Sequence, residues 1–106
     1  MKGKMIVIYN TPKDKAAFDL HYTEITVPLV KKLAGLRKYE LSSQNTIISP
    51  TGHSVAYMIV TLYFDTIEAI KETFATPEGQ ACATDRKILA PDKDAVQMYI
   101  YESAEV

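Results

Sequence analysis

The spacing of hydrophobic residues changes along the chain between two patterns that predict different elements. Lys4–Asn10 ("KMIVIYN") and Val55–Phe64 ("VAYMIVTLYF") are β-rich runs that are apolar on both sides, which predicts buried strands. Between Lys15 and Gly35 the apolar residues recur at gaps of three or four positions, as on one face of a helix. These residues are Phe18, Tyr22, Ile25, Leu29 and Leu33.

The rest of the chain adds two strands and further helix. Within Leu36–Ile48, Tyr39 and Leu41 alternate with Lys38, Glu40 and Ser42, which predicts an exposed or edge strand. Residues 67–74 carry a helical stripe, Pro77 can open a second short helix, and Ala95–Glu102 predicts a last strand. We therefore expect one domain over residues 1–106 of the α+β class. Its order βαββαβ is that of the ferredoxin-like split βαβ sandwich, an antiparallel sheet with helices on one face.

Pro28 interrupts the first helical stretch. A proline inside a helix removes the hydrogen bond to the carbonyl four residues earlier, here that of Glu24, and crowds this carbonyl. We expect the helix to kink or restart at this point. The kink would turn Tyr22, Ile25 and Thr26 away from the rest of the apolar stripe and shape a hollow beside the sheet.

The predicted sheet has more apolar surface than two helices can cover. In the strand that ends at Phe64, alternate residues form two sets that point to opposite faces. One set is Met58, Val60, Leu62 and Phe64, and the other is Tyr57, Ile59, Thr61 and Tyr63. Large apolar patches on a protein surface mark interfaces or binding sites. We therefore expect a homodimer in which two sheets pack face to face, with a monomer whose loops cover this face as the alternative.

Charge and cysteine content narrow the possible partners. The chain has 12 basic and 13 acidic residues and a net charge of -1, so we expect neither nucleic acid nor membrane as a partner. The single cysteine, Cys82, excludes an internal disulfide and is expected to be a small core residue.

The apolar run before Asn10 is too short for a secretion signal, so we expect a cytoplasmic protein. No spacing of ligands predicts a metal or cofactor site.

Two stretches of the chain resemble one known family. Phe18–Glu40 ("FDLHYTEITVPLVKKLAGLRKYE") resembles the EthD family, in which an aromatic helix precedes Thr-His-x-Pro-Leu and then Leu-Pro-Gly-Leu-Arg-x-Tyr. Tyr63–Asp85 ("YFDTIEAIKETFATPEGQACATD") is similar to that family's Phe-Asp-Ser, Ser-Pro-Glu-Gly and Ala-x-x-Asp pattern. The resemblance covers nearly the whole chain and implies a dimeric α/β barrel.

The sequence departs from the family where a proton carrier would be expected. The resemblance implies a histidine two residues before the proline, and Thr26 stands there. Related polyketide cyclases imply a second histidine after Pro77, where this chain has Glu78 and Gly79. His21 remains a candidate general base, since an imidazole suits this role near neutral pH. The alternative is that His21 is a boundary side chain whose imidazole only hydrogen-bonds a water or a carbonyl.

Two functional hypotheses follow. The first is an EthD-like homodimer that binds a small apolar or aromatic, oxygen-bearing metabolite, with a role in ether or in aromatic and polyketide catabolism implied by the resemblance. Its predicted ligand-binding residues are Ile6, Ile8, Tyr22, Ile25, Thr26, Tyr57 and Tyr63. Tyr22 and Thr26 would hydrogen-bond the ligand, and His21 and Thr26 are the catalytic candidates. The second hypothesis is a dimeric binding or accessory module without chemistry, and the sequence leaves open whether the protein is an enzyme.

Overall fold

Strands and helices follow one another in the predicted order. The computed structural model describes residues Met1 to Val106. Its strands are β1 (Gly3–Asn10), β2 (Lys38–Leu41), β3 (Ala56–Phe64) and β4 (Val96–Glu102), and its helices are α1 (Lys15–His21), α2 (Val27–Val30), α3 (Ile67–Phe74) and α4 (Pro77–Leu89). A π-helical turn, Tyr22–Thr26, joins α1 to α2, and a 3₁₀ turn spans Lys93–Ala95. None of the helices combines the length and hydropathy needed to cross a membrane.

All four strands pair antiparallel in the order β2-β3-β1-β4. The helices pack on one face of this sheet, so the predicted ferredoxin-like α+β fold is confirmed. Buried apolar residues of the sheet and of the helices form one core on that side. It contains Met5, Val7, Tyr9, Phe18, Tyr22, Val30, Leu33, Val60, Leu62, Phe64, Ile70 and Ala90.

The chain passes Pro28 through a widened turn rather than a break. The backbone N–H of Val27 donates to the carbonyl of Tyr22, five residues earlier, instead of to the residue four earlier. Pro28 then falls in the first turn of α2, where its missing N–H costs nothing because helix starts have unpaired N–H groups in any case. Such π-helical turns are a recognised cause of helix bending. The helix is therefore disturbed from Tyr22 and restarts at Val27, which is one of the two outcomes expected at Pro28.

A short motif fixes the junction of α3 and α4. The Thr76 side chain caps α4 by accepting a hydrogen bond from the backbone N–H of Gly79 at 3.1 Å, and Pro77 occupies the first turn. A side-chain carbon on Gly79 would lie 2.2 Å from the carbonyl oxygen of Thr73 and 2.4 Å from the Cα of Phe74. Only glycine therefore allows the two helices to approach this closely.

The face of the sheet opposite the helices is uncovered in one protomer. We call it the open face, and its residues alternate with those of the core: Lys4, Ile6, Ile8, Ile59, Thr61, Tyr63, Gln97, Tyr99 and Tyr101. Tyr99 and Tyr101 are 55% and 40% exposed. Charged groups surround Tyr63, whose hydroxyl donates to Glu40 at 2.5 Å and whose ring lies below the ammonium groups of Lys4 and Lys38.

Two predicted details of the sheet are wrong. The second strand is only four residues long, because residues 42–55 leave the sheet as a loop with no regular structure. Tyr57 does not share a face with Ile59, Thr61 and Tyr63, although the alternation predicts that it does. The β1–β3 register skips it between the pairs Tyr9–Met58 and Asn10–Ala56, and this bulge turns its ring against Phe18, 5.6 Å away.

Candidate functional site

A cavity of about 510 Å³ lies between the helices and the covered face of the sheet. This volume falls in the ordinary range for small-molecule sites. Sixteen of its 20 lining residues are hydrophobic, and the other four are Thr26, Lys71, Asp85 and Arg86. Met98 and Ile100 of β4 line it while remaining 43% and 47% exposed, so the cavity opens to solvent at this edge of the sheet.

A buried carboxylate forms the polar corner of this cavity. Asp85 of α4 is only 5% exposed. The Thr26 hydroxyl donates to its Oδ2 at 2.7 Å, and His21 Nε2 lies 2.7 Å from its Oδ1. An ionised carboxylate can only accept hydrogen bonds, so in that state His21 donates from Nε2. The π-helical turn makes this arrangement possible, since His21 and Thr26 stand at its two ends.

Two tyrosines add hydroxyl groups to the cavity wall. Burial raises the pKa of both Tyr9 and Tyr22 well above the ordinary value of 10.0. The Tyr22 hydroxyl shares a hydrogen bond of 2.5 Å with that of Tyr39, and the ring of Tyr22 stacks on Phe18 at 6.1 Å. Tyr9 lines the same cavity as Asp85 and Arg86. Both phenols therefore stay protonated at neutral pH and can donate hydrogen bonds.

Cys82 is the remaining side chain with nucleophilic potential on the wall. Burial, reinforced by the nearby negative charge of Asp85, raises the pKa of its thiol above 9.0. A protonated thiol is a poor nucleophile. Cys82 packs against the apolar core, as the sequence predicts for a small core residue. No three His, Cys, Asp or Glu side chains meet in an arrangement that could hold a metal ion.

The structure brings only part of the predicted ligand-binding set to the cavity. Tyr22 and Thr26 line it and are 2% and 6% exposed. The other five predicted residues, Ile6, Ile8, Ile25, Tyr57 and Tyr63, do not line it. Their assignment to the wall of this cavity is therefore wrong.

Each of these errors has a physical reason. Residues of β1 alternate between faces, and the covered face holds Met5, Val7 and Tyr9, which leaves Ile6 and Ile8 on the open face. Tyr63 lies on the open face by the same alternation along β3.

Ile25 is 49% exposed, because the widened turn buries Tyr22 and Thr26 and directs Ile25 outward. Tyr57 packs on Phe18, and its hydroxyl donates to Asp19 at 2.9 Å.

His21 stands behind the cavity wall rather than on it. Its side chain is 25% exposed and lines a groove on the outer surface, where Asp14, Asp92 and Asp94 also lie. Its Nε2 is hydrogen-bonded to the carboxylate of Asp85. The sequence prediction missed Asp85 altogether. The available signal was the resemblance itself, because Asp85 is the last residue of the stretch similar to the Ala-x-x-Asp pattern.

The fold and the cavity together define a class: ferredoxin-like α+β proteins with a ligand-sized space between helices and sheet. The chain belongs to the EthD family, since the EthD domain pattern matches residues 10–93. It is 33% identical over 82 residues to an uncharacterised 11.0 kDa protein encoded between thcB and thcC in Rhodococcus erythropolis. That match covers 77% of this chain and 78% of the relative.

Solved structures agree with this assignment. An EthD-family protein from Bacillus halodurans superposes with a TM-score of 0.85 at 33% identity, over 98% of this chain and all of the other. A protein of unknown function from Bacteroides fragilis, described as dimeric and ferredoxin-like, superposes with a TM-score of 0.64 over 95% of each chain. Its identity is 24%, so this second likeness concerns the fold alone.

Proposed function

We propose that this EthD-family protein is a homodimer that binds a small, mostly apolar or aromatic molecule with an oxygen function in the cavity described above. The observation that carries this proposal is the contrast inside the cavity. Its wall is almost entirely hydrophobic, yet one corner presents the hydrogen-bonded pair of Asp85 and Thr26, and Tyr9 also lines the wall. Apolar pockets with a few convergent polar groups are the usual form of small-molecule sites.

The open face supports the homodimer. It carries apolar and aromatic residues that one protomer leaves partly exposed, and a second copy related by a two-fold axis would cover them. The Bacteroides fragilis protein, which shares the fold, is described as dimeric. Face-to-face packing leaves each cavity on the helix side of its own protomer, so dimer formation does not obstruct the ligand.

The biological setting that we propose is the breakdown of ethers or of aromatic and polyketide compounds. The related structure from Bacillus halodurans belongs to a family named after ethyl tert-butyl ether. Compounds of these classes combine a hydrocarbon body with one or two oxygen atoms, which is the combination that the cavity wall and its polar corner would accommodate.

Binding can be tested with 2-naphthol and a pair of alanine substitutions on α4. Ala83 lines the cavity, whereas Ala81, two residues away on the same helix, is exposed and does not. We expect isothermal titration calorimetry to detect 2-naphthol binding to the native protein and to Ala81→Phe, but not to Ala83→Phe, whose ring fills the space. Absence of binding to the native protein, or equal binding by both variants, would contradict the proposal.

A further inference from the structure

Asp85 separates two hollows of the molecule. On one side it lines the apolar cavity, and on the other it meets His21, which lines the groove on the outer surface. Its two oxygens have different partners, the Thr26 hydroxyl at Oδ2 and His21 Nε2 at Oδ1, both at 2.7 Å. A carboxylate has about four acceptor positions. These two hydrogen bonds therefore fix the group without saturating it, and the cavity side remains available to a ligand.

The other titratable residues around Asp85 cannot accept a proton from a ligand at neutral pH. The other titratable groups on the cavity wall are Tyr9, Tyr22, Lys71, Cys82 and Arg86. Burial keeps the two phenols and the thiol protonated by raising the pKa of each. An ammonium or guanidinium group carries no acceptor at neutral pH. The carboxylate of Asp85 is thus the one titratable group of this wall that can accept a proton.

We propose that Asp85 is the proton acceptor of the cavity and that its ligands are apolar molecules with an acidic hydroxyl group, such as phenols and enols. This inference rests on the proposed function, since it requires a ligand in the cavity. In the step, the O–H bond of the ligand breaks and a new O–H bond forms on the Asp85 carboxyl group. The electron pair stays on the ligand oxygen, and no further reactant is needed.

Neighbouring side chains stabilise the ligand anion and position the Asp85 carboxylate. The phenol of Tyr9, which lines the same cavity, donates a hydrogen bond to the ligand oxygen that becomes negative. His21 and Thr26 are positioning residues, because each holds one oxygen of the carboxylate. Asp85 thereby supplies the proton-accepting function that the chain lacks at position 26. Thr26 instead donates a hydrogen bond to the Asp85 carboxylate.

A first experiment uses the unmodified protein. We expect 2-naphthol to bind at least about tenfold more tightly than 2-methoxynaphthalene, since the methyl ether cannot donate a hydrogen bond to a charged acceptor. Calorimetry measures both affinities. If neither compound binds, the proposed function and this inference fail together. If both bind with equal affinity, the cavity site stands and the inference is overturned.

A second experiment observes the proton transfer itself. 2-Naphthol becomes strongly acidic when excited and emits from its anion once a nearby acceptor has taken the proton. We expect anion emission from 2-naphthol bound to the native protein. In Asp85→Asn the ratio of anion to neutral emission should fall at least about tenfold, because a positioned base is lost. Bound 2-naphthol whose emission ratio is the same in both proteins would overturn the inference alone.

The role of His21 is tested by a pair of variants with the same readout. His21→Gln retains an N–H group that can donate to Asp85 Oδ1, whereas His21→Leu does not. We expect His21→Leu to lower the emission ratio and His21→Gln to restore most of it, although 2-naphthol binds both. Equal ratios in the two variants would show that His21 does not position the carboxylate.

Discussion

The two faces of the sheet are both apolar, but their polar groups are placed differently. On the covered face, Asp85 is buried at one corner of a cavity, with both oxygens hydrogen-bonded to side chains. On the open face, Lys4, Lys38 and Glu40 surround the ring of Tyr63 near solvent. Apart from Thr61 and Gln97, the other residues of this face are aromatic or aliphatic. The covered face thus offers a small hollow with a specific hydrogen-bonding group. The open face offers a broad surface suited to another sheet.

The comparison shows that apolar content alone does not tell a ligand site from an interface. Both faces of β1 and β3 have side chains of similar chemistry. What distinguishes the covered face is a helix layer that leaves space and supplies buried hydrogen-bonding groups. Two predictions separate these faces, and a third concerns a carboxylate at the sheet edge; they run from the largest expected effect to the smallest.

The helix layer should depend most strongly on Gly79. In Gly79→Ala the new carbon would overlap the backbone of Thr73 and Phe74, so α3 and α4 would have to separate. We expect the free energy of unfolding, measured by urea denaturation, to fall by at least roughly 3 kcal/mol. Gly52→Ala is the control: it has a φ of +75° and no atom within 4 Å, so it should lose only about 1 kcal/mol. Similar losses in both variants would contradict the close packing of these helices.

The open face should control assembly without affecting the fold of a protomer. Tyr99 is 55% exposed on this face, and Ile88 is 66% exposed on the outer side of α4. We expect Tyr99→Lys to raise the dimer dissociation constant at least roughly 100-fold, as for an interface hot spot, while Ile88→Lys leaves it unchanged. Sedimentation velocity at a series of concentrations measures both. A native protein that sediments as a monomer at micromolar concentration would refute the proposed dimer.

An exposed carboxylate at the sheet edge provides the smallest effect and a contrast with Asp85. The guanidinium of Arg37, 2.8 Å from Asp65 Oδ2, holds the pKa of Asp65 below its ordinary value of 3.8 through hydrogen bonds and charge. A carboxyl group whose pKa is lower in the folded state than in the unfolded state stabilises the fold at pH values above its ordinary pKa. This contribution is lost as the pH falls through the folded-state pKa. Both side chains are 56% exposed, so the contribution to stability is small.

An NMR titration of the Asp65 carboxyl carbon tests this effect. In Arg37→Gln we expect the pKa of Asp65 to rise toward its ordinary value. Lys38→Gln, which removes a neighbouring charge that pairs with Glu40 at 3.3 Å, should leave it unchanged. An Asp65 pKa that is insensitive to Arg37 would mean that this surface pair does not form in solution.

The sequence predicted the fold well because the fold depends on local patterns. The order of elements, the helix-covered antiparallel sheet and the disturbance near Pro28 follow from periodicity and from the chemistry of proline. Alternation also divided β3 into two sets correctly, except at Tyr57, since no sequence signal announces the bulge beside it. The same alternation could not say which set of β1 faces the helices, because Ile6 and Ile8 are as apolar as Met5 and Val7.

The candidate site was harder to predict because its polar corner is assembled from distant positions. Asp85 is 64 residues from His21 and 59 from Thr26 along the chain. In the sequence it stands between Thr84 and Arg86, in a stretch of polar residues typical of the solvent-facing side of a helix. Only the packing of α4 against the π-helical turn turns it inward. Tyr22 and Thr26 line the cavity because the disturbance by Pro28 is local to them, and their role in ligand binding stays a prediction.

The π-helical turn also has a consequence for how such a protein could change over evolutionary time. Deleting a single residue within positions 22–26 would restore ordinary helical geometry and rotate the remainder of the segment by about 100° around its axis. Thr26 would then leave Asp85, and a different side chain would take its place, while the strands kept their pairing. Loss or gain of one codon, rather than a series of point mutations, is thus a direct route to a new binding preference on an unchanged scaffold.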